Sequence, residues 1–577
     1  MNRYCFPLVL LFVFTLMSHC HAQVNTDPLA EGILKNRGEL YFSFLVTSPD
    51  EVSDFSRLIS IDHIDGVKVY AYANKKGFSQ FLNKGKPYTI LPSPGLLTPE
   101  KELAGMDRTG ESDSKTIWNF YPTYQQYIDY MTGFASLHPD ICNIDTLGNT
   151  IQGRLLLAVK ISDNVNQQEA EPRVFYTASI HGDETAGFVL MLHLIDYLLM
   201  NYGVDPKVTN LIQSTEIFIN PLANPDGTYY GGNHTVFGSV RYNANAIDLN
   251  RNYPDPRMGP HPDGEEWQPE TQAFMSYGEN NHFTMSANFH GGAEVFNYPW
   301  DTWPKLTSDD NWWQRVGREW ADTVHKYGPS GYFNDLDNGI TNGHAWYEIT
   351  GGRQDYMNFW NHCREVTVEI SDVKILPVNQ LENFWEYNHR SFLNFIEESH
   401  YGLTGFVTDS ITGQPVFARV FIANHDQDSS EVFSYLPSGF YARPIYEGSY
   451  DVTFSASGYN TKTIYHIVVH NRQTTPLNVQ LKPLSHGIDQ GKDQTIRIYP
   501  NPGNGDFEIC FPAGWDEPGR ILICSAQGDV VVDDNLKMSP GVNCYRTNLR
   551  HLPEGLYIVR FISGELTLTN KFIIRYD

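Results

Sequence analysis

The first residues that could do chemistry are His181 and Glu184. They stand three apart in Arg173-Val174-Phe175-Tyr176-Thr177-Ala178-Ser179-Ile180-His181-Gly182-Asp183-Glu184-Thr185. The apolar, β-branched run before them reads as a buried strand. It ends at His181, and Gly182 lets the chain turn without steric cost. Glu184 opens Glu184–Tyr202, whose Leu, Met and Ile spacing reads as a buried helix. An imidazole and a carboxylate at such a strand-to-helix turn can point at one ion. A nitrogen and oxygen pair of this kind suits zinc, which in catalytic sites takes a third protein ligand and keeps one position open. A His-x-x-Glu pair alone is common, so its meaning depends on whether the remaining parts exist.

The third donor is His290, in Asn288-Phe289-His290-Gly291-Gly292, again at the end of an apolar run. Side chains at strand C-terminal ends line the crevice of an α/β sheet. A lone histidine there is more often structural, and pairing with His181-x-x-Glu184 reverses that weighting. Turn chemistry accounts for Asn220-Pro221-Leu222-Ala223-Asn224-Pro225-Asp226-Gly227, and Arg241 near Asp248-Leu249-Asn250-Arg251-Asn252 is compatible with a solvated loop. Glu365-Val366-Thr367-Val368-Glu369-Ile370 is harder to explain as scaffold, because it puts a carboxylate inside a buried strand. Burial pushes such a group's pKa up, which suits general-base work.

These residues need elements to hold them. A chain of 577 residues is too long for one core and suggests roughly three to five domains. Hydrophobic content of 41% and charged content of 19% describe folded protein. A formal charge of −26 argues against nucleic acid and anionic membranes and mildly favours cationic peptides. Residues 1–22 read as a secretory signal: Arg3, an apolar run from Phe6 to Met17, then Cys20-His21-Ala22 before Gln23. His19 disfavours a lipid anchor on Cys20, which needs a small residue before it. No later segment is long and apolar enough to span a membrane. Cys142, Cys363, Cys510, Cys524 and Cys544 remain after cleavage, and a bridge among the last three is open, with no pairing specified.

Residues 38–93 alternate strand and helix: strands Glu39–Val46, Gly66–Ala73 and Lys86–Leu91, helices near Glu51–Ile59 and Lys76–Leu82. Residues 94–116 read as an exposed Pro/Gly/Ser linker. From 117 to 400 helices and strands alternate as in an α/β domain with helices on both faces of a mixed sheet. Residues 402–482 hold short strands with turn signals and read as a β-sandwich. A polar linker, 483–494, leads to a second β-rich module, 495–577.

The segment 121–399 resembles the zinc metallocarboxypeptidases of the pancreatic superfamily, and within it the carboxypeptidase N/E/D branch. The resemblance is carried by His138-Pro139-Asp140 through Gly153-Arg154, His181-x-x-Glu184, Asp248-Leu249-Asn250-Arg251-Asn252-Tyr253-Pro254 and His290-Gly291-Gly292…Asn297-Tyr298-Pro299. It continues in Gly339-Ile340-Thr341-Asn342-Gly343…Trp346-Tyr347 and Gly351-Gly352-Arg353-Gln354-Asp355-Tyr356. Residues 402–482 resemble the transthyretin-like β-sandwich of that branch, through Gly405-Phe406-Val407…Thr412-Gly413-Gln414-Pro415-Val416. Residues 495–577 resemble the sorting module of type IX secretion, through Tyr499-Pro500-Asn501-Pro502, Leu552-Pro553-Glu554-Gly555-Leu556-Tyr557 and Lys571-Phe572.

The resemblance implies an α/β fold: an eight-stranded mixed-sheet carboxypeptidase domain covered by helices, preceded by a small α/β module and followed by two β-sandwich modules. It implies one Zn²⁺ held by His181, Glu184 and His290, Glu369 as general base, and Arg241 meeting the developing oxyanion. Asn250 and Arg251 would grip the substrate's terminal carboxylate, where a guanidinium offers two parallel hydrogen bonds. Tyr347 would close over the substrate. Asp301, with Gln354 nearby, would line the pocket for a terminal Lys or Arg; read without the resemblance, Asp301 is as well a surface turn residue after Tyr-Pro-Trp. The expected partners are peptide C-termini and the outer-membrane secretion machinery, with no nucleic acid. A cell-wall peptide-trimming activity and a peptide-binding protein without catalysis are the alternatives. N/E/D enzymes usually lack a folded prodomain, so residues 38–93 are expected to be either an inhibitory prodomain or a structural or chaperoning appendage.

Overall fold

The computed structural model describes residues 27–103, 118–484, 496–513, 519–537, 541–563 and 566–576. The signal segment 1–22, most of the first linker and nearly all of the second lie outside these residues.

The first module contains strands β1 (Leu40–Leu45), β2 (Ser60–Asp65), β3 (Lys68–Ala73) and β4 (Tyr88–Ile90) in the order β2-β3-β1-β4. Its core is aromatic: Phe42, Phe44, Phe55, Phe78 and Phe81 are all buried together. Two elements were not expected. A helix, Pro28–Arg37, starts with Asp27 accepting the Leu29 N–H and with proline in its first turn. Strand β2 reads Ser-Ile-Asp-His-Ile-Asp, and its polar residues hide it from a search for apolar runs. They are polar because that strand faces the next domain.

The described part of the first linker also differs from expectation. Residues 94–103 are not an exposed tether. The Gly95 carbonyl accepts the Gly238 N–H (2.8 Å), and the Thr98 hydroxyl donates to the Ile375 carbonyl (2.6 Å). A side chain at Gly95 would come within 2.0 Å of the Ser239 carbonyl oxygen, so its lack of a Cβ permits this docking.

The following domain is built on an eight-stranded mixed sheet. Its strands are β5 (Cys142–Asn149), β6 (Leu155–Ile161), β7 (Arg173–Ala178), β8 (Glu216–Asn220), β9 (Met285–His290), β10 (Ala293–Tyr298), β11 (Ile340–Asn342) and β12 (Arg364–Ser371), in the order β11-β10-β12-β9-β7-β8-β6-β5. Alternation along the central strands explains why both faces are covered. Phe175 points into a core with Phe218, Phe274 and Phe283, while Tyr176 points into another with Phe289, Trp320 and Phe392. Helices Ala186–Asn201, Asp310–Tyr327 and Val378–Glu398 cover the second face. Among the described residues no single helix is long and apolar enough to cross a membrane.

Next comes a pair of small sheets. Gly402–Asp409 pairs with Phe440–Arg443, Thr474–Pro476 and Val479–Leu481; Ala418–Ile422 and Gly448–Ser455 form the centre of the other. A buried charge cluster ties these sheets to the eight-stranded domain. Asp309 receives Arg364 (2.9 Å), Arg443 (3.0 Å) and His425 (3.0 Å), and Arg443 reaches Asp426 (2.7 Å). Arg364 opens β12, so the cluster fixes the strand that carries Glu369.

The described residues of 496–576 belong to a separate unit, with seven strands in two sheets around Phe507, Phe561 and Phe572. A disulfide joins Cys510 to Cys544, the pairing the sequence left open.

Candidate metal centre and active site

Strands β7, β9 and β12 are parallel neighbours, and their C-terminal ends converge. Register alone places Glu369 beside His290, its direct partner across β9 and β12. His181 and Glu184 lie in the irregular loop after β7. The helix there starts at Ala186 rather than Glu184, because Ser179 turns with φ 57° and its hydroxyl donates to the Glu184 carbonyl (2.7 Å). That loop leaves both side chains free to turn inward.

The donors meet at one point. His181 Nδ1 and His290 Nδ1 are 3.1 Å apart, and Glu184 lies 2.9 Å from each ring. The opposite ring nitrogens are already engaged: His181 Nε2 with Asp248 Oδ1 (3.1 Å), His290 Nε2 with the Asn288 amide (2.9 Å). Two inward nitrogens fixed by outer partners, with a carboxylate between them, fit a zinc ligand set. Burial pushes the His290 pKa down to about 4, which favours the neutral ligand form. Burial alone would raise Glu184, but His181, Lys374 and His290 hold it well below the usual range.

The other expected residues surround this point. Glu369 is half-buried, with its Oε2 enclosed and without a hydrogen-bond partner among the described residues. Burial, then the charges of Glu184 and Asp62, push its pKa well up, against Lys374 and Arg241. Arg241 donates to Asp248 Oδ2 (3.1 Å) and lies 3.5 Å from Glu184 Oε1. Arg251 gives Nη1 to the Asn250 carbonyl (2.8 Å), while its buried Nε and Nη2 meet no acceptor among the described residues. A guanidinium edge left without an acceptor is costly unless an anion joins it. Asn250 holds the Arg353 N–H (2.9 Å), which fixes the start of the helix carrying Gln354.

Asp301 is not a surface turn residue, since it is 2% exposed. Its Oδ1 accepts Asn297 (3.3 Å) and Gln354 (3.1 Å), and Gln354 is anchored by the Thr367 N–H (2.7 Å). Asp301 lines the same small cavity as Arg251, Asn250, Tyr347 and the three donors. Burial pushes its pKa up to about 7, with Asp255 adding and Asn297 and Arg251 opposing.

Tyr347 lines this cavity as well, and it is also bound by the first module. Its hydroxyl donates to the Ile61 carbonyl of the first module (3.3 Å), and its ring packs on that module's core. Strand β2 crosses the cleft at this point. Ser60 donates to Asp248 Oδ2 (2.6 Å), Tyr72 to Asp183 Oδ2 (2.6 Å), and Asp62 pairs with Lys374 (2.7 Å). Glu39 accepts the Arg241 N–H (2.8 Å), and Arg57 reaches Glu348 (2.9 Å). The central cavity is reduced to about 20 Å³, room for roughly one water molecule. Larger spaces flank β2: about 400 Å³ beside Arg251 and about 510 Å³ beside Gly292 and Lys374. None of these module contacts, nor Lys374, was singled out from sequence. The only signal was indirect: acidic residues alternating with Ile61 and Ile64 in a strand-length run.

Three family models match successive parts of the chain. Residues 127–391 match the zinc carboxypeptidase family, 402–482 the carboxypeptidase regulatory-like domain, and 497–575 the secretion system C-terminal sorting domain. Carboxypeptidase D of Anas platyrhynchos is 36% identical over 418 residues, covering 69% of this chain and 29% of that protein. The chain thus spans under a third of that relative's length. Carboxypeptidase N catalytic chain of Rattus norvegicus is 33% identical over 405 residues, covering 62% of this chain and 86% of that one. Among solved structures, carboxypeptidase A from Helicoverpa armigera matches with a TM-score of 0.49 and 18% identity, covering 62% of this chain and 96% of that one.

The donor geometry predicts that the purified protein carries one zinc ion by elemental analysis. Glu369→Gln should keep it, whereas His290→Ala should lose it. Full zinc in the His290 variant would refute the ligand set.

Proposed function

Because the chain belongs to the zinc carboxypeptidase family, we propose that it is a zinc-dependent exopeptidase that removes single C-terminal residues, Lys or Arg by preference. The observation that carries the specificity is the buried Asp301, anchored by Asn297 and Gln354 in the cavity that Arg251 also lines. A buried carboxylate without a counter-charge accepts a cationic side chain and rejects apolar ones. Arg251 and Asn250 would hold the terminal carboxylate, which makes the enzyme count from the chain end. His181, Glu184 and His290 would hold the metal, which when bound polarises the scissile carbonyl and activates water. Glu369 would take the proton from the attacking water and return it to the leaving amine, and Arg241 would meet the oxyanion.

The test is a peptide panel differing only in the C-terminal residue, with and without chelator. Lys and Arg should exceed Leu and Phe by about a hundredfold or more in kcat/KM. Asp301→Ala should remove that preference with zinc content intact. The pH dependence has a definite sign. Below about pH 7 the empty pocket holds a neutral Asp301 that cannot pair with a cation, so kcat/KM for basic peptides should rise as pH increases through neutrality. A preference for Phe or Leu in the unaltered protein overturns the basic assignment.

The first module is read as a plug rather than an appendage. With about 20 Å³ left at the centre, a peptide and β2 cannot occupy the cleft together. Asp62→Lys sets two ammonium groups face to face at Lys374 and should raise the rate on a fixed peptide by about tenfold or more. An unaltered chain already as fast as this variant is evidence for an appendage.

The sorting-domain match supports export across an outer membrane by the type IX route, ending at the surface or in the medium. All proposed catalytic residues precede it. A truncation ending near His486 should stay active and remain in the periplasm; normal export of that truncation removes the sorting role.

A further inference from the structure

Lys374 has no part in the reaction described so far, yet it sits at the cleft's busiest point. It is 7% exposed, and its Nζ meets Glu184 Oε1 (2.8 Å), the Gly291 carbonyl (2.8 Å) and Asp62 Oδ1 (2.7 Å). The first two partners belong to the catalytic domain. The third comes from the plug, where the Tyr41 hydroxyl (2.8 Å) and His63 Nδ1 (3.0 Å) hold the Asp62 carboxylate in place.

The space this carboxylate fills is shaped by a missing side chain. A Cβ on Gly292, whose φ is +124°, would stand 2.8 Å from Lys374 Nζ and 3.5 Å from Asp62 Oδ1. Only glycine leaves room there for an ammonium and a carboxylate to meet. Opening the cleft removes Asp62 and strips a buried ammonium of one counter-ion, a state that is costly unless another anion replaces it.

The path of a bound peptide brings a replacement within reach. Arg251 and Asp301 line the central cavity. The 510 Å³ trough shares Asp62, Gly292, Trp346 and Lys374 with that cavity and includes neither Arg251 nor Asp301. A chain whose terminus is held by those two residues therefore leaves the cleft past Lys374. We propose that Lys374, over the bare backbone of Gly292, is a carboxylate-binding subsite that takes an Asp or Glu side chain of the substrate within two residues upstream of the scissile bond, in the place Asp62 holds when the plug is docked. The proposal rests on the peptidase and plug readings above. Farther out, Asp335 and Asp372 line the trough, so the preference is confined to the positions that reach Lys374.

The test uses the zinc-loaded full chain and its Asp62→Asn form, with N-blocked peptides ending in Arg that carry Glu or Gln at each of the two upstream positions. Glu should be preferred over its isostere by about tenfold or more in kcat/KM at one of these positions. Lys374→Gln should bring the ratio to one or below, and Lys374→Arg should preserve it. The ratio is internal to each sample, so partial misfolding does not alter it. Equal hydrolysis at both positions, or a Glu preference that survives Lys374→Gln, overturns the subsite. Failure to cleave any peptide counts against the peptidase reading instead. The subsite is then decided by the same Glu-to-Gln ratio measured as Kd on the Glu369→Gln chain: a ratio near one overturns it, and a Lys374-dependent ratio supports it.

Discussion

The cleft depends on one constraint: many charges are gathered where three parallel strands end, in a space that the first module nearly fills. Strands β7, β9 and β12 are neighbours, so their terminal side chains share one edge. Each charge there is stable only because another fixed group answers it. Asp248 joins His181 to Arg241, and Glu184 lies among two imidazoles, Arg241 and Lys374. In a medium of low effective dielectric such pairs are strong, and a group left unpaired is expensive. Among the described residues the free edge of Arg251 and Oε2 of Glu369 are without hydrogen-bond partners, and their proposed roles require a substrate or a water.

Rigidity at this edge is supplied from outside it. Arg353 reaches Glu365 (3.1 Å) on β12 and also contacts Thr177 on β7, bracing the two strands across β9. Asp309 and Arg443 pin the start of β12 against the following β-sandwich, with Asp309 held far below the ordinary carboxylate range by its cations despite burial. Such pairs add little net stability over well-packed apolar residues, but they fix register once formed. A site that needs donor atoms placed to a fraction of an ångström gains more from fixed register than from added stability.

Much of this was legible in the sequence because it rests on short-range rules. Strand ends, the His-x-x-Glu spacing and the acidic residue inside an apolar run all show locally, whereas Asp301 came only from the family resemblance, through its offset from His290. What stayed hidden depends on contacts between distant segments. Ser60–Asp65 carries too few apolar residues to read as a strand, since its polar side chains are matched to Asp248 and Lys374, far along the chain. Lys374 stands in Ser371-Asp372-Val373-Lys374-Ile375 with nothing local to mark it as buried. The linker after the first module looked like a tether because glycine and proline were read as flexibility, whereas Gly95 serves close approach.

The contacts between β2 and the cleft are mostly polar, and that choice has consequences. An apolar plug would gain affinity simply by burying surface, whatever the state of the site beneath it. This one bonds Asp248, Asp183, Lys374 and the backbone of Arg241, so its docking depends on those groups being in place. Coupling of this kind is reciprocal. Whatever draws Lys374 or Asp248 towards a peptide weakens the hold on β2 by the same free energy, and a docked module lowers apparent peptide affinity by the fraction of chains it keeps closed. A substrate that supplies its own carboxylate to Lys374 would exchange one ion pair for another and leave no buried charge alone, so displacing the module would cost less than its contact area implies.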